Sequence, residues 1–227
     1  MGFKLNPYDP CVAKSQIKGK QCTDAWYVDD NKISHVDDTV VTDVIEKIEA
    51  KFGKMTVTRG KHHLFLGMKI TFNDDATVTL LMKEYIKEAI ADSGMDASRV
   101  AVKPAKRDLF AINDKSEHLE RKKAELFHSI VAKLLYVSKP ARTDLQLAVA
   151  FLCTRVLCST EQDRDKLVRL LQYLNAGTLD LALILGADSL NAGASWVDAS
   201  YAVHDNMKSY FPLVEAHSCA SQQKKRN

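Results

Sequence analysis

The sequence has no zinc-binding motif, no long apolar run and no large excess of either charge. Its five cysteines stand at positions 11, 22, 153, 158 and 219, and no two of them form a Cys-x-x-Cys pair. The neighbouring His62 and His63 have no cysteine at the spacing of a zinc ligand set. The pattern argues against a zinc site. It favours free thiols in a reducing compartment, because the cysteines are scattered and odd in number.

Other absences narrow the class of protein further. No apolar run reaches the length of a membrane span, and no signal peptide is recognisable. We therefore expect an intracellular protein without a membrane partner, in the cytoplasm or the nucleus. The net charge of +3, from 32 basic and 29 acidic residues, excludes a strongly basic coat protein but allows local positive patches. The hydrophobic content of 46% is that of a globular chain, and 227 residues can form one large domain or two small ones.

Two adjacent carboxylates, Asp29 and Asp30, lie between two β-prone runs. The runs cover Cys22–Val28 and Lys32–Val36, so the sequence predicts a β-hairpin with both acids at its tip. Like charges side by side repel, and Mg²⁺ is the commonest reason for a fold to keep them, since it prefers carboxylate oxygens. The simpler interpretation is an ordinary turn, because Asp and Asn are typical turn residues.

A second acidic pair, Asp74 and Asp75, allows a comparison within the same chain. It also follows a β-prone run, and nothing around it resembles a site. We interpret it as a plain turn.

Hydrophobic periodicity predicts an α+β fold. A helix capped near Asp37 carries apolar residues at three- and four-residue steps. A hairpin of two strands is predicted over Lys54–Thr58 and His62–Phe72, followed by a strand over Thr77–Leu81. The later chain is predicted to be mostly helical, and the helix near 120–138 carries Leu126, Ile130, Leu134 and Leu135 on one side. The predicted helices cover residues 82–93, 120–138, 143–157 and 161–174, and β-like runs follow at 179–185 and 194–197.

An ordered set of short blocks resembles the reverse transcriptase region of a copia-type retrotransposon Pol polyprotein, from the palm toward ribonuclease H. The resemblance covers roughly residues 1 to 209. Its blocks are Gly2-Phe3 with Asp9-Pro10-Cys11, Tyr27-Val28-Asp29-Asp30, Lys51–Met55, Phe65–Ile70, Ala141–Leu145, Leu170–Thr178 and Trp196–Ser200.

The resemblance implies an α+β, partial right-hand polymerase with three regions. Residues 1–81 would form part of the palm with its catalytic hairpin. Residues 82–178 would form a helical region like a thumb and connection. Residues 179–227 would begin a ribonuclease H-like unit with a divergent basic tail.

The resemblance also implies roles for individual residues. Asp29 and Asp30 would be catalytic and bind Mg²⁺ or Mn²⁺, and Tyr27 would lie near the primer terminus. Asp198 would be the first ribonuclease H aspartate, which we expect to be inert. The implied partners are an RNA template, a DNA primer and deoxynucleotides. The residues expected to bind nucleic acid are Lys54, Phe65, Leu66, Gly67, Met68, Lys103, Lys106 and Arg107, although a solvated surface explains the basic ones equally well.

The chain departs from the family pattern at both ends. The third palm aspartate is not recognisable, because Asp9 is too close to the hairpin and Asp24 lies within its strand, so we expect it upstream. After about Lys208 the resemblance stops. We therefore expect a fragment of an RNA-directed DNA polymerase that holds no metal tightly and is inactive alone. The alternatives are a catalytically dead nucleic-acid-binding remnant and a non-functional pseudogene product.

Overall fold

A computed structural model of the chain describes residues 2–186 and 220–221. It contains helices and antiparallel sheets, which confirms the predicted α+β class. The described residues fall into two compact units, which divide between Leu66 and Gly67. The predicted division into functional regions at 81 and 178 stays a prediction. Asp198 and the predicted run at 194–197 lie outside the described residues.

The first unit contains an antiparallel sheet whose strands follow one another in chain order. Consecutive hairpins build it, and the β2–β3 turn, Lys18-Gly19, has positive φ at both residues (50° and 73°), the pattern of a type I′ turn. The strands are β1 (Lys4–Leu5), β2 (Val12–Ile17), β3 (Lys20–Tyr27) and β4 (Asp30–Ser34). The helix α1 (Asp38–Phe52) and the short strand β5 (His62–Phe65) follow.

Helix α1 begins and packs as its sequence predicts. The Asp37 carboxylate caps it by accepting a hydrogen bond from the Thr39 amide at 2.9 Å. The Lys18 ammonium also donates to Asp37 at 2.9 Å, and these hydrogen bonds hold the pKa of that carboxyl well below its usual range. The apolar stripe of the helix (Val40, Val44 and Ile48) packs against the buried Cys22 of β3.

The predicted strand over Lys54–Thr58 is wrong, because that segment is irregular. It is tied to the end of α1 instead of to a strand. The Gly53 amide donates to the Glu49 carbonyl at 2.8 Å, and the Met55 amide donates to the Glu49 carboxylate at 3.0 Å. The Met55 side chain packs on the α1 core. The predicted strand over His62–Phe72 is interrupted at Leu66-Gly67, where φ is 53° and 71°.

The second unit combines a small antiparallel sheet with a helical core. In the sheet, β7 pairs with β6 and β8, and β8 pairs with β9, so the predicted run at 179–185 contributes a strand. The elements are β6 (Met68–Phe72), β7 (Val78–Leu81), α2 (Lys83–Ser93), α3 (Arg121–Ser138), a 3₁₀ turn (Thr143–Leu145), α4 (Gln146–Arg155), α5 (Glu161–Asn175), β8 (Leu183–Gly186) and β9 (Ala220–Ser221).

The helical core lies among α2, α3, α4 and α5, which confirms the four predicted helices. Helix α5 begins with a reciprocal capping box between Thr160 and Asp163. In α3 the buried residues are Phe127, Ile130, Val131, Leu134 and Val137. Of the four residues predicted to share one side of this helix, Ile130 and Leu134 are buried, whereas Leu126 and Leu135 are 37% and 36% exposed. Across residues 2–186, none of the helices combines the length and the apolar character that crossing a membrane requires.

Candidate functional site

The hairpin predicted at Asp29 and Asp30 is present. Tyr27 pairs with Asp30 across β3 and β4, which leaves a turn of only two residues, Val28 and Asp29. Val28 has a φ of 56°, which is rare for a β-branched residue and distorts the tip. The two carboxylates therefore lie on a turn residue and the residue after it, instead of on opposite faces of a flat strand.

A cleft of about 470 Å³ opens beside this tip, within the first unit. It is bounded by β4, by α1 and by residues 55–65. Among the described strands, β4 has a neighbour on one side only. In an antiparallel ladder the backbone groups of alternate residues point outward, and here these are Asn31 and Ile33. The cleft thus lies along a free sheet edge, with the two carboxylates at one end.

The cleft has charged and apolar parts. Asp29 and Asp30 are exposed, and within the described chain neither carboxylate accepts a hydrogen bond. The Arg59 guanidinium donates to the Thr42 hydroxyl at 3.0 Å, and the His63 Nε2 donates to the Gly60 carbonyl at 2.7 Å. Burial lowers the pKa of Lys32. The apolar lining comes from Ile33, Val41, Ile45, Met55, Val57, Leu64 and Phe65.

The residues predicted as catalytic or nucleic-acid-binding in the first unit are only partly brought together. Phe65 lines the same cleft as Asp29 and Asp30. Tyr27 is 59% exposed and, like the exposed Lys54, is not among the residues that line it. Arg59, His63 and Lys32 also line the cleft, and no sequence motif predicts them there. Only the alternation of strand β4 could have indicated Lys32, two residues after Asp30.

The remaining predicted residues lie in the second unit, apart from Leu66 at the end of the first. Met68 is partly buried and packs against the helical core, so its side chain contributes to the packing of that core. Lys103 and Arg107 are exposed, and Lys106 lines a separate cleft against α5. Their roles in binding nucleic acid stay predictions.

The two carboxylates at the hairpin tip are suited to binding a single hard cation, such as Mg²⁺, with low affinity. Among the described residues, no group of three or more His, Cys, Asp or Glu side chains is arranged to hold a metal ion. The nearby Asp24 does not join the pair. Its Oδ1 atom is buried without a hydrogen-bond partner, and burial raises its pKa. Two carboxylates alone do not fix two ions at the separation of about 4 Å that two-metal catalysis requires.

The second acidic pair is a plain turn, as predicted. The Asp75 carboxylate accepts hydrogen bonds from the Thr77 amide at 3.1 Å and the Thr77 hydroxyl at 2.6 Å. These bonds close the loop between β6 and β7. The carboxylate of Asp75 therefore has a structural role that the carboxylates of Asp29 and Asp30 do not have.

Gly67 is required by its backbone and by its neighbour. Its φ is 71°, and a Cβ atom there would lie 3.2 Å from Cδ2 of Tyr85. The Tyr85 ring packs on Tyr136, with ring centroids 5.5 Å apart, so it cannot easily move away. A structural reason thus accounts for the glycine in the Phe65–Ile70 block.

We expect Gly67→Ala to lower the free energy of unfolding by about 2–4 kcal/mol, because positive φ costs a side chain about 1–2 kcal/mol and overpacking adds to it. The control is Gly94→Ala, also at positive φ (58°) but with nothing within 4 Å of its Cβ. Gly94→Ala should lose only the part of the free energy of unfolding that comes from the positive φ, about 1–2 kcal/mol. Urea denaturation of both variants measures this, and equal losses would contradict the contact with Tyr85.

Two further blocks of the sequence meet in a buried network that no local sequence pattern predicts. Arg142, 1% exposed, donates to both carboxylate oxygens of Asp144 at 2.9 and 2.8 Å. It also donates to the Thr178 carbonyl at 3.0 Å. The Tyr173 hydroxyl donates to Asp144 at 2.8 Å, and the Thr178 hydroxyl donates to the Tyr173 carbonyl at 2.7 Å. The blocks Ala141–Leu145 and Leu170–Thr178 are therefore one structural feature.

Comparison with known proteins gives one partial similarity. The chain is 25% identical over 182 residues to the "Putative transposon Ty5-1 protein" of Saccharomyces cerevisiae. The similarity indicates a transposon-related protein. It covers 80% of this chain and 58% of the yeast protein, so the chain spans less than two thirds of that relative. No family model matches the sequence, and no solved structure matches it.

Proposed function

We propose that the chain is a piece of the RNA-directed DNA polymerase of a copia-type retrotransposon, with Asp29 and Asp30 as ligands of Mg²⁺ or Mn²⁺. The observation that carries the proposal is the two-residue turn that presents adjacent, exposed carboxylates beside a cleft at a sheet edge. The similarity to the yeast transposon protein supports the same origin.

The proposal gives each residue of the tip a distinct task. Asp29 and Asp30 would hold a divalent ion, and neither carboxylate would have to break a hydrogen bond within the described chain to do so. The ion would supply positive charge to the oxygens of a phosphoryl transfer. The Tyr27 ring, 59% exposed, is free to pack on a terminal nucleotide.

The free edge of β4 is where a third ligand would enter. A strand that pairs with this edge would align its side chains beside those of β4, by the same main-chain hydrogen bonds that extend any open sheet. A carboxylate on such a strand would complete a set of three with Asp29 and Asp30. This third carboxylate is the aspartate that the family pattern places before the hairpin.

We expect the purified chain to incorporate no deoxynucleotide, because two carboxylates hold one cation weakly. Primer extension on a homopolymeric RNA template, with Mg²⁺ and separately with Mn²⁺, measures this, and an active reverse transcriptase is the positive control. Incorporation that persists in Asp29→Asn would come from a contaminant. Incorporation that disappears in Asp29→Asn would contradict the expected inactivity and show that the described carboxylates suffice.

The second candidate is a remnant that binds nucleic acid without catalysis. It is favoured by the exposed basic residues between α2 and α3, namely Lys103, Lys106 and Arg107, which the start of α3 continues with Arg121, Lys122 and Lys123. Such a cluster contacts phosphates without reading sequence, and its affinity for a duplex falls as salt rises.

A further inference from the structure

One side of α5 holds the long loop that precedes α3. The side chains involved recur at helical spacing, so they form a single stripe. Four hydrogen bonds join the stripe to the backbone of residues 96–113: Gln162 Oε1 accepts from the Asn113 amide (2.9 Å), Lys166 Nζ donates to the Ala111 carbonyl (2.6 Å), Gln172 Nε2 donates to the Asp96 carbonyl (3.3 Å), and Asn175 Nδ2 donates to the Ala97 carbonyl (3.1 Å).

Arg169 lies in the middle of this stripe, but its Nε atom, unlike the side chains on either side of it, makes no hydrogen bond to the loop. The Nε atom of Arg169 is buried and has no hydrogen-bond partner in the described chain. A buried donor without an acceptor is costly, and the donor here is charged. Lys166 and Gln172, one turn away on either side, each reach a carbonyl of the loop. The loop therefore offers an acceptor to the neighbours of Arg169 and none to its Nε.

A cleft of about 500 Å³ lies where this acceptor is missing. Arg99 and Lys106 line it from the loop, and Lys166 and Arg169 line it from α5. The lining also includes two carboxylates, Asp108 and Asp165, so two positive charges remain in excess. The cleft is far larger than one water, which occupies about 30 Å³, and falls within the range of small-molecule sites.

We propose that this cleft binds a phosphate group, with Arg169 as its central donor. A guanidinium presents its donors in a planar fork that matches phosphate oxygens, and Arg99 and Lys106 add charge from the opposite wall. A water molecule would satisfy the Nε atom of Arg169 alone and would leave the other cations facing the same space. The phosphate belongs either to a free nucleotide or to a polynucleotide backbone. The site is independent of the carboxylates at the hairpin tip.

Amide NMR spectra of the full chain, titrated at constant ionic strength, test the proposal. The probes are inorganic phosphate, a nucleoside triphosphate and a short DNA duplex. We expect shifts at residues 99–109 and 162–172, and at least a tenfold loss of affinity in Arg169→Met. Arg164→Met is the matched control, because Arg164 lies on the same helix outside the cleft lining and faces Glu161 at 3.7 Å. It should bind as the wild type does.

The relative affinities of the probes assign the source of the phosphate. Tighter binding of the triphosphate indicates a nucleotide site, and tighter binding of the duplex indicates a backbone site. Without ligand, Arg169→Met should unfold at the same temperature as the wild type or higher, because a buried unpaired donor has been removed. Equal affinity in Arg169→Met and Arg164→Met, absence of shifts at the cleft, or a lower unfolding temperature of Arg169→Met alone would overturn the proposal.

Discussion

Replacing Arg142 by methionine is expected to lower the free energy of unfolding by about 3–5 kcal/mol, the loss typical of breaking a buried ion pair from one side. Arg142 is 1% exposed, and its guanidinium donates to Asp144 and to both the carbonyl and the hydroxyl of Thr178. The variant leaves the Asp144 carboxylate, with 28% of its side chain exposed, without its counter-charge. It also removes the hydrogen bonds from Arg142 to Thr178, which follows α5, while the bond from the Tyr173 hydroxyl to Asp144 remains. Urea denaturation followed by circular dichroism measures the loss.

The matched control for this variant is Arg121→Met. Arg121 also pairs with an acid, Glu125 at 2.9 Å, but its side chain is 92% exposed. Exposed pairs contribute about 0–1 kcal/mol, so the control should stay close to the wild type. If Arg142→Met lost no more than Arg121→Met, the buried network would not stabilise the fold.

The pH dependence of the Arg142→Met loss provides an internal check. Burial acts to raise the pKa of Asp144, but the hydrogen bonds and charge of Arg142, with the Tyr173 hydroxyl, hold it below its usual value. This contribution is therefore present above the ordinary Asp pKa of about 3.9 and is lost as the pH falls through the lower folded pKa. The difference between wild type and variant should narrow in acid. A constant difference from neutral to acid pH would contradict the ion pair.

The local sequence pattern, meaning hydrophobic periodicity and capping residues, was sufficient to predict most of the helices and strands. The Asp37 cap and the apolar stripe predict α1, and the two β-prone runs around Asp29 and Asp30 predict the hairpin, because both signals act within a few residues. The two-residue length of the turn is seen only in the structure. The register of α3 was predicted imprecisely. Leu126 and Phe127 are both apolar, and the core takes the larger ring and leaves Leu126 partly exposed.

Other features depend on contacts that no local pattern contains. The strand predicted over Lys54–Thr58 fails because the Glu49 side chain binds the following backbone at Met55. The break at Leu66-Gly67 follows from the positive φ of both residues. The long-range hydrogen bonds of the Arg142 network and of the stripe around Arg169 join residues 29 to 78 positions apart in sequence, so spacing alone could not have predicted them.

In the candidate site, too, neighbouring residues could be predicted from the sequence, whereas residues brought together from distant positions could not. The acidic tip was predictable, because its two carboxylates are neighbours in sequence. The rest of the cleft was not, since Arg59 and His63 belong to an irregular segment whose position depends on the end of α1. Side-chain contacts also separate the two acidic pairs, because the hydrogen bonds from Thr77 identify Asp75 as a turn residue.

Substoichiometric Mn²⁺ is expected to broaden the amide resonances of Asp29, Asp30 and their neighbours more than any others in the described chain. Adjacent, exposed carboxylates without hydrogen bonds offer four oxygens to a hard cation at no internal cost. The turn at Asp74 and Asp75 has the same formal charge, but Asp75 already accepts two hydrogen bonds. It should bind Mn²⁺ less well, which makes it the control within one molecule.

A polymerase origin of the chain requires that Tyr27-Val28-Asp29-Asp30 bind a divalent cation. The decisive measurement is the Mn²⁺ titration of three proteins: the wild type, the Asp29→Asn, Asp30→Asn double variant, and the Asp74→Asn, Asp75→Asn double variant. We predict broadening at the hairpin tip in the wild type and in the second variant, and its loss in the first. Equal broadening at both acidic turns, or broadening at the tip that survives Asp29→Asn, Asp30→Asn, would contradict a metal site at the hairpin.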